Sequence, residues 1–316
     1  MNYASQKNWR AISEFLPRKL QFTESFAPKE EWWDWNGNQI HLDTFRNPDA
    51  KAKVILLHGV GTNGRQMSTI IGGPLAQDGL EVIAVDMPLY GMSLIKQKRP
   101  VTYDDWVQLG SDYIDYEQKQ DGRPVFLYGL SAGGMETYHI ACRNKKVKGI
   151  VGMTFLDQRS QQVRDETASN RFWARFGTSL AGFSCKLGMS NFKMKMTICS
   201  KMTALCNDSA CLNTLLRDKT SAGNSVPMSF IYSYMTAAPE IDPEEFDICP
   251  ILLTQPEQDR WTPLHLSMPF LKKFTKTAVT IKTLENGGHY PIEEKALDQL
   301  HDAMLEFIMS NLPEAQ

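Results

Sequence analysis

Hydrophobic positions along this chain follow two rhythms. Val54-Ile55-Leu56-Leu57, Val82-Ile83-Ala84-Val85, Pro124 to Tyr128, Val147 to Leu156 and Ile251-Leu252-Leu253-Thr254 are short, nearly unbroken apolar runs. Such runs predict strands buried on both faces. Gln39 to Arg46 alternates Ile40, Leu42 and Thr44 with His41, Asp43 and Phe45, which predicts another strand. Trp32, Trp33 and Trp35 are expected in a strand just before it, in buried positions, and Val279 to Leu284 in a late one. Between these runs the period changes to that of helices. They are expected at Gln66–Gln77 (broken at Gly72-Gly73-Pro74), Tyr103–Gln120, Ala132–Asn144, Leu264–Phe274 and Ala296–Asn311.

Strands alternating with helices predict an α/β fold with a doubly wound, mainly parallel sheet. Residues 157–246 interrupt the alternation. They are rich in Phe, Met, Lys and Ser and read as a helical cap inserted into a core of 29–156 and 247–316. Residues 1–28 read as an N-terminal arm. Its Trp9, Ile12 and Leu16 are spaced for a helix packed on the body and ended by Pro17.

Composition narrows the function classes. Across 316 residues, 34 basic and 36 acidic side chains leave a net charge of −2, so no overall basic field invites nucleic acid or an anionic membrane surface. No stretch approaches the ~18–20 apolar residues of a membrane span, so no integral membrane segment is expected. Met1 to Leu20 has no apolar run of the signal-peptide kind. Six cysteines without C-x-x-C spacing read as free thiols in a reducing cytoplasm. No two histidines lie within four residues of each other, which disfavours a metal-dependent hydrolase.

The chemistry centres on Gly129-Leu130-Ser131-Ala132-Gly133, a G-x-S-x-G sequence between a predicted strand and a predicted helix. A sharp turn there lifts Ser131 out of the sheet and sets it at a helix N-terminus. A serine nucleophile needs a base, a group to orient that base, and donors for the oxyanion. His289, after Gly287-Gly288 and the last strand, is the candidate base. Asp259, in the loop after Ile251–Thr254, is the candidate orienter, with Glu257 and Asp157 as rivals. The N–H groups of Ala132 and of Val60, in His58-Gly59-Val60-Gly61, are the candidate oxyanion donors. Gly61, Trp261 and Tyr290 are expected to contact substrate.

These pieces, in this order, resemble an α/β-hydrolase-fold serine hydrolase from about residue 30 to the end, the cap excepted. Asp86 to Ser93 resembles the same family's D-x-x-x-x-G-x-S stretch. The resemblance implies hydrolysis of an ester, lactone, thioester or amide through an acyl-enzyme without a cofactor. A serine at residue 131 argues against the branches that use aspartate there. The whole chain is similar to small bacterial lactonases that open N-acyl homoserine lactones in quorum quenching. A lipase of the monoacylglycerol type, an acyltransferase and a catalytically silent ligand-binding protein are the alternatives. Apolar residues from Phe172 to Met202, among them Phe176, Leu180, Phe183 and Phe192, are expected to form the cap's core and an acyl channel, with Trp261 near its mouth. Lys186, Lys193, Lys195 and Lys201 are expected on the solvated face. The expected partner is therefore a small acyl ester or lactone.

Overall fold

The computed structural model describes residues 2–313. Ten strands form in chain order: β1 (Lys29–Trp35), β2 (Asn38–Phe45), β3 (Lys53–Leu57), β4 (Glu81–Val85), β5 (Val125–Gly129), β6 (Gly149–Gly152), β7 (Lys193–Lys195), β8 (Ser225–Pro227), β9 (Ile251–Pro256) and β10 (Val279–Leu284). Eight of them make one sheet in the order β1-β2-β4-β3-β5-β6-β9-β10. β1–β2 and β2–β4 are antiparallel, and every other pair is parallel. The fold is an α/β hydrolase fold.

The apolar runs account for the centre of this sheet. Every residue of β3, β4, β5, β6 and β9 is buried. Helices cover both faces, so neither face tolerates a polar alternation. β10 closes the sheet as an edge strand, and its exposed Thr280, Lys282 and Thr283 discourage pairing with another chain. Leu57 lies level with both Val85 and Gly129, and Gly152 with Leu253. The loops that leave β3, β5 and β9 therefore emerge side by side at the carboxyl edge, where open α/β sheets build their sites.

Three expectations change. The helix after β3 is not broken at Gly72-Gly73-Pro74. It runs as Gly64–Met67, a π turn over Ser68–Gly72, and Gly73–Gln77. The wide turn precedes a proline that has no N–H to donate, and a Cβ on Gly72 would sit 3.1 Å from Leu56 Cδ1 in the sheet. β6 is shorter than the run Val147–Leu156, because Met153 to Leu156 leave the ladder while staying buried. Trp32 is 43% exposed on the edge strand β1, whereas Trp35 is buried.

Residues 157–246 stand outside the eight-stranded sheet. They contribute helices at Gln161–Thr167, Arg171–Lys186, Ser209–Arg217 and Met228–Thr236, and the small β7–β8 pair. The arm's helix, Lys7–Ser13, ends before Pro17. It packs on Ser209–Arg217, with Trp9, Ile12 and Leu16 buried. Tyr3 reaches further, and its hydroxyl donates to Asp86.

Candidate active site

Ser131 has φ 56° and ψ −124°, a conformation that a non-glycine residue holds only where its surroundings impose it. They do so by close packing. A Cβ on Gly129 would lie 2.0 Å from Gly133 O, and one on Gly134 2.0 Å from Thr154 O. Leu130 N–H donates to Leu57 O, and Thr154 Oγ1 donates to Ser131 O at 3.1 Å, which fixes both ends of the turn. The N–H groups of Gly133 and Gly134 are used by the carbonyls of Leu130 and Ser131. Ala132, the first residue of the helix, carries one of the N–H groups that a helix start leaves without an intrahelical acceptor.

The loop after β3 lies against this turn. A Cβ on Gly59 would come within 2.7 Å of Ser131 Cβ. Gly59 and Thr62 close a tight turn through Thr62 N–H to Gly59 O and Gly59 N–H to Thr62 Oγ1, with Val60 at its tip. His58 anchors it from below. Its Nε2 accepts from Met87 N–H at 2.9 Å, so Nδ1 carries the proton and donates to Gly59 O. Burial lowers the pKa of this imidazole and so favours its neutral form.

Asp259 and His289 are brought together from two different loops. His289 Nδ1–H donates to Asp259 Oδ2 at 2.9 Å. Thr262 Oγ1–H donates to the same oxygen at 2.7 Å, and Oδ1 accepts the N–H groups of Trp261 and Thr262 at 2.8 Å each. Burial alone would raise this carboxyl's pKa, but His289 and the Thr262 bonds outweigh it and hold it at about 2. His289 Nε2 is buried and has no hydrogen-bond partner among the described residues. The Trp261 ring lies 4.7 Å from the imidazole. The rivals are occupied elsewhere: Asp157 pairs with Arg159, and Glu257 accepts from Asn286 N–H.

Ser131, Ala132, Val60, Trp261 and Thr262 line one cavity that is open to solvent. Its walls are mostly apolar, from Leu156, Trp173, Met196, Phe230 and Ile231, with Gln158, Arg164 and Thr178 among the polar exceptions. The helix Met228–Thr236 supplies Phe230, Ile231 and Tyr234 at helical spacing, a row that the sequence reading did not single out. Thr262 was also passed over as a partner of Asp259, although a threonine three residues after a loop aspartate is an available signal.

Two expected substrate contacts lie elsewhere. A Cβ on Gly61 would meet Leu205 and Met202 at 3.1–3.3 Å, so this glycine packs under the inserted segment. Tyr290 is fully buried, and its N–H donates to Leu205 O at 2.7 Å. The insert braces the catalytic-side loops at this point, because Asn207 accepts from Arg260 and donates to Gln258 O. The side chains expected to form an acyl channel mostly lie elsewhere as well. Phe172, Phe176, Leu180, Phe183 and Phe192 are exposed, and of the row from Phe172 to Met202 only Trp173 and Met196 line the cavity. The row follows one helix face, and the cavity takes the other.

Among the described residues, the grouping with metal-ligand spacing is Glu30, His41 and Asp43. The Arg65 guanidinium already fills the cation's place, paired with Asp43 and lying 3.4 Å from Glu30. No disulfide forms among the six cysteines.

Fold and site define a serine hydrolase of the α/β-hydrolase class. The chain matches the family described as serine aminopeptidase, S33, over residues 48–296, and it belongs to that family. Solved structures of similar fold include three of stated source. A soluble variant of monoglyceride lipase from Saccharomyces cerevisiae, in complex with a substrate analog, has TM-score 0.75 and 16% identity, covering 95% of this chain and 99% of that one. A monoacylglycerol lipase from Paleococcus ferrophilus has TM-score 0.66 and 20% identity, covering 86% and 99%. Est1E from Butyrivibrio proteoclasticus, with ferulic acid bound, has TM-score 0.58 and 17% identity, covering 88% and 99%. No curated protein matches the chain in sequence. No helix among the described residues is long and apolar enough to cross a membrane.

Proposed function

We propose that the chain hydrolyses carboxylic esters of apolar acyl chains through an acyl-enzyme on Ser131. His289 Nε2 takes the Ser131 proton as Oγ attacks the ester carbonyl. Asp259 holds the proton of the same ring on Nδ1, which leaves the Nε2 lone pair for this transfer, and it stabilises the imidazolium that results. The N–H groups of Val60 and Ala132 receive the oxyanion. The imidazolium then protonates the leaving alcohol, and water, deprotonated by His289, releases the acid. Residues 157–246 act as the cap that gives the acyl chain its apolar wall.

The observation that carries this reading is the unpartnered Nε2 of an aspartate-bound imidazole, buried beside an apolar cavity that ends on a conformationally constrained serine. The monoglyceride and monoacylglycerol lipases among the similar folds support a single-chain ester as substrate. One observation favours an N-acyl homoserine lactone as second reading. The Thr178 hydroxyl, on the cavity wall, is buried without a hydrogen-bond partner among the described residues. An N-acyl amide would satisfy it, and a plain alkyl chain would not.

A series of acyl chains from acetyl to dodecanoyl, on glycerol, simple alcohols and homoserine lactone, tests the reading. Each buried methylene contributes about 0.8 kcal/mol, so two more carbons raise kcat/KM roughly tenfold until the cavity is full. A preference for acetyl on every head group contradicts the apolar wall. Fast cleavage of long glycerol esters without lactone opening keeps the wall and discards the lactone.

A further inference from the structure

The inserted helix Arg171–Lys186 has two apolar faces. One turns inward: Ala174, Gly177 and Ala181 are buried, and Trp173, Gly177 and Thr178 line the cavity. The other turns outward. Phe172, Phe176, Leu180, Phe183 and Leu187 recur at steps of three or four, which places them along one stripe of the helix. Met189 and Phe192 follow in the turn after the helix. These seven side chains are between 39% and 60% exposed. Scattered exposed apolar residues are ordinary, but five large ones on one helix face, with two more just after it, mark an interaction surface.

The charge around the stripe says what kind. From Thr167 to Asn207 there is no Asp or Glu, while Arg171, Arg175, Lys186, Lys193, Lys195 and Lys201 fall in the same interval. Arg175 pairs with Asp165, and Lys201 donates to Arg260 O. Arg171, Lys186, Lys193 and Lys195 are exposed and pair with no carboxylate among the described residues. A whole-chain charge of −2 hides this local excess. An apolar stripe of phenylalanine and leucine flanked by cations is the make-up of a helix that lies in a lipid–water interface. Its aromatic side chains enter the acyl boundary, and its cations meet anionic head groups.

We propose that this face of the insert docks on an anionic lipid surface, and that it does so on the same helix that walls the cavity, so that an acyl ester leaving the lipid enters beside its docking site. The docking rests on exposure and charge and stands independently of the ester reading.

Vesicle sedimentation tests it without turnover, so its failure and that of the ester reading are distinguishable. The wild-type chain should sediment with vesicles containing phosphatidylglycerol and not with phosphatidylcholine alone, and added NaCl should release it. Lys193→Gln with Lys195→Gln should weaken the partition about 25-fold, at roughly fivefold per cation. Phe176→Asp with Phe183→Asp should abolish it. Both double variants should keep the wild-type circular dichroism and the turnover of a soluble short-chain ester. Three results would overturn the proposal. One is no sedimentation of wild type with anionic vesicles, and another is equal sedimentation with both kinds. The third is a dimer in light scattering that Phe176→Asp/Phe183→Asp disperses, which would make the stripe a contact between copies.

Discussion

The sheet and the insert treat the same residue types in opposite ways. In β3, β4 and β5 every residue is buried. Charges at the antiparallel margin of that sheet are buried and partnered: His41 lies between Asp86 and Glu30 at 2.9 Å from each, and Arg65 is paired with Asp43. In Arg171–Lys186 and the turn after it, large apolar side chains face solvent, and Arg171 and Lys186 pair with no acid among the described residues. The sheet's pattern is explained by folding alone. The insert's pattern costs exposed apolar surface and unneutralised charge, and an external partner accounts for both.

The largest effect falls where the two regions meet. Asp259 sits in a loop braced by Asn207 of the insert, through Gln258 and Arg260. Asp259→Asn should lower kcat on the order of 10⁴, as the same change does in another triad, with Asp157→Asn near wild type. Because Asp259 titrates at about 2, it stays ionised through the working range. A fall in kcat/KM between about pH 5 and 8 is therefore not expected from protonation of this carboxylate.

The second effect tests the partnered charges of the core. Burial would depress the His41 pKa, but its bonds to Asp86 and Glu30 outweigh burial and raise it to about 10. A raised histidine pKa stabilises the fold fully below its unfolded value of about 6.5 and loses that contribution as pH rises through about 10. His41→Asn should therefore destabilise by about 3–5 kcal/mol near pH 6, since it strands buried carboxylates. The gap to wild type should close toward pH 10. Urea midpoints across that range measure it, and a gap that widens with pH would show the opposite linkage.

The third prediction compares one residue from each region. Leu56→Ala, in the centre of the sheet, should cost about 2–5 kcal/mol. Phe176→Ala, 60% exposed, should stay within about 0.5 kcal/mol of wild type. A large loss at Phe176 would mean that the stripe serves the insert's own stability.

This contrast also explains what was legible in the sequence. Periodicity located β3 to β6 and β9, because burial on both faces leaves an apolar run, and it located β2 by its alternation. Ser131, Asp259 and His289 were legible because each follows a strand end in a fixed chain order. The insert was not, because helical periodicity shows that a face is apolar but not which way it turns. The row from Phe172 to Met202 was therefore expected around the cavity, where only its Trp173 and Met196 stand, beside Phe230, Ile231 and Tyr234. Gly61 and Tyr290 were misassigned for a related reason. Proximity to the motif residues in sequence says nothing of Leu205, which comes from 85 residues before Tyr290 and accepts its N–H. Net charge is silent on the insert, since a sum over the chain averages away a local run of cations.

The central claim is that Ser131 is the nucleophile, activated by His289 and Asp259. Intact-mass measurement after treatment with a fluorophosphonate reads it directly. The account predicts one adduct per wild-type chain, mapped to Ser131 by peptide digestion, none on a folded Ser131→Ala, and slowed labelling of Asp259→Asn. An unlabelled wild type, or an adduct that persists in Ser131→Ala, would contradict it.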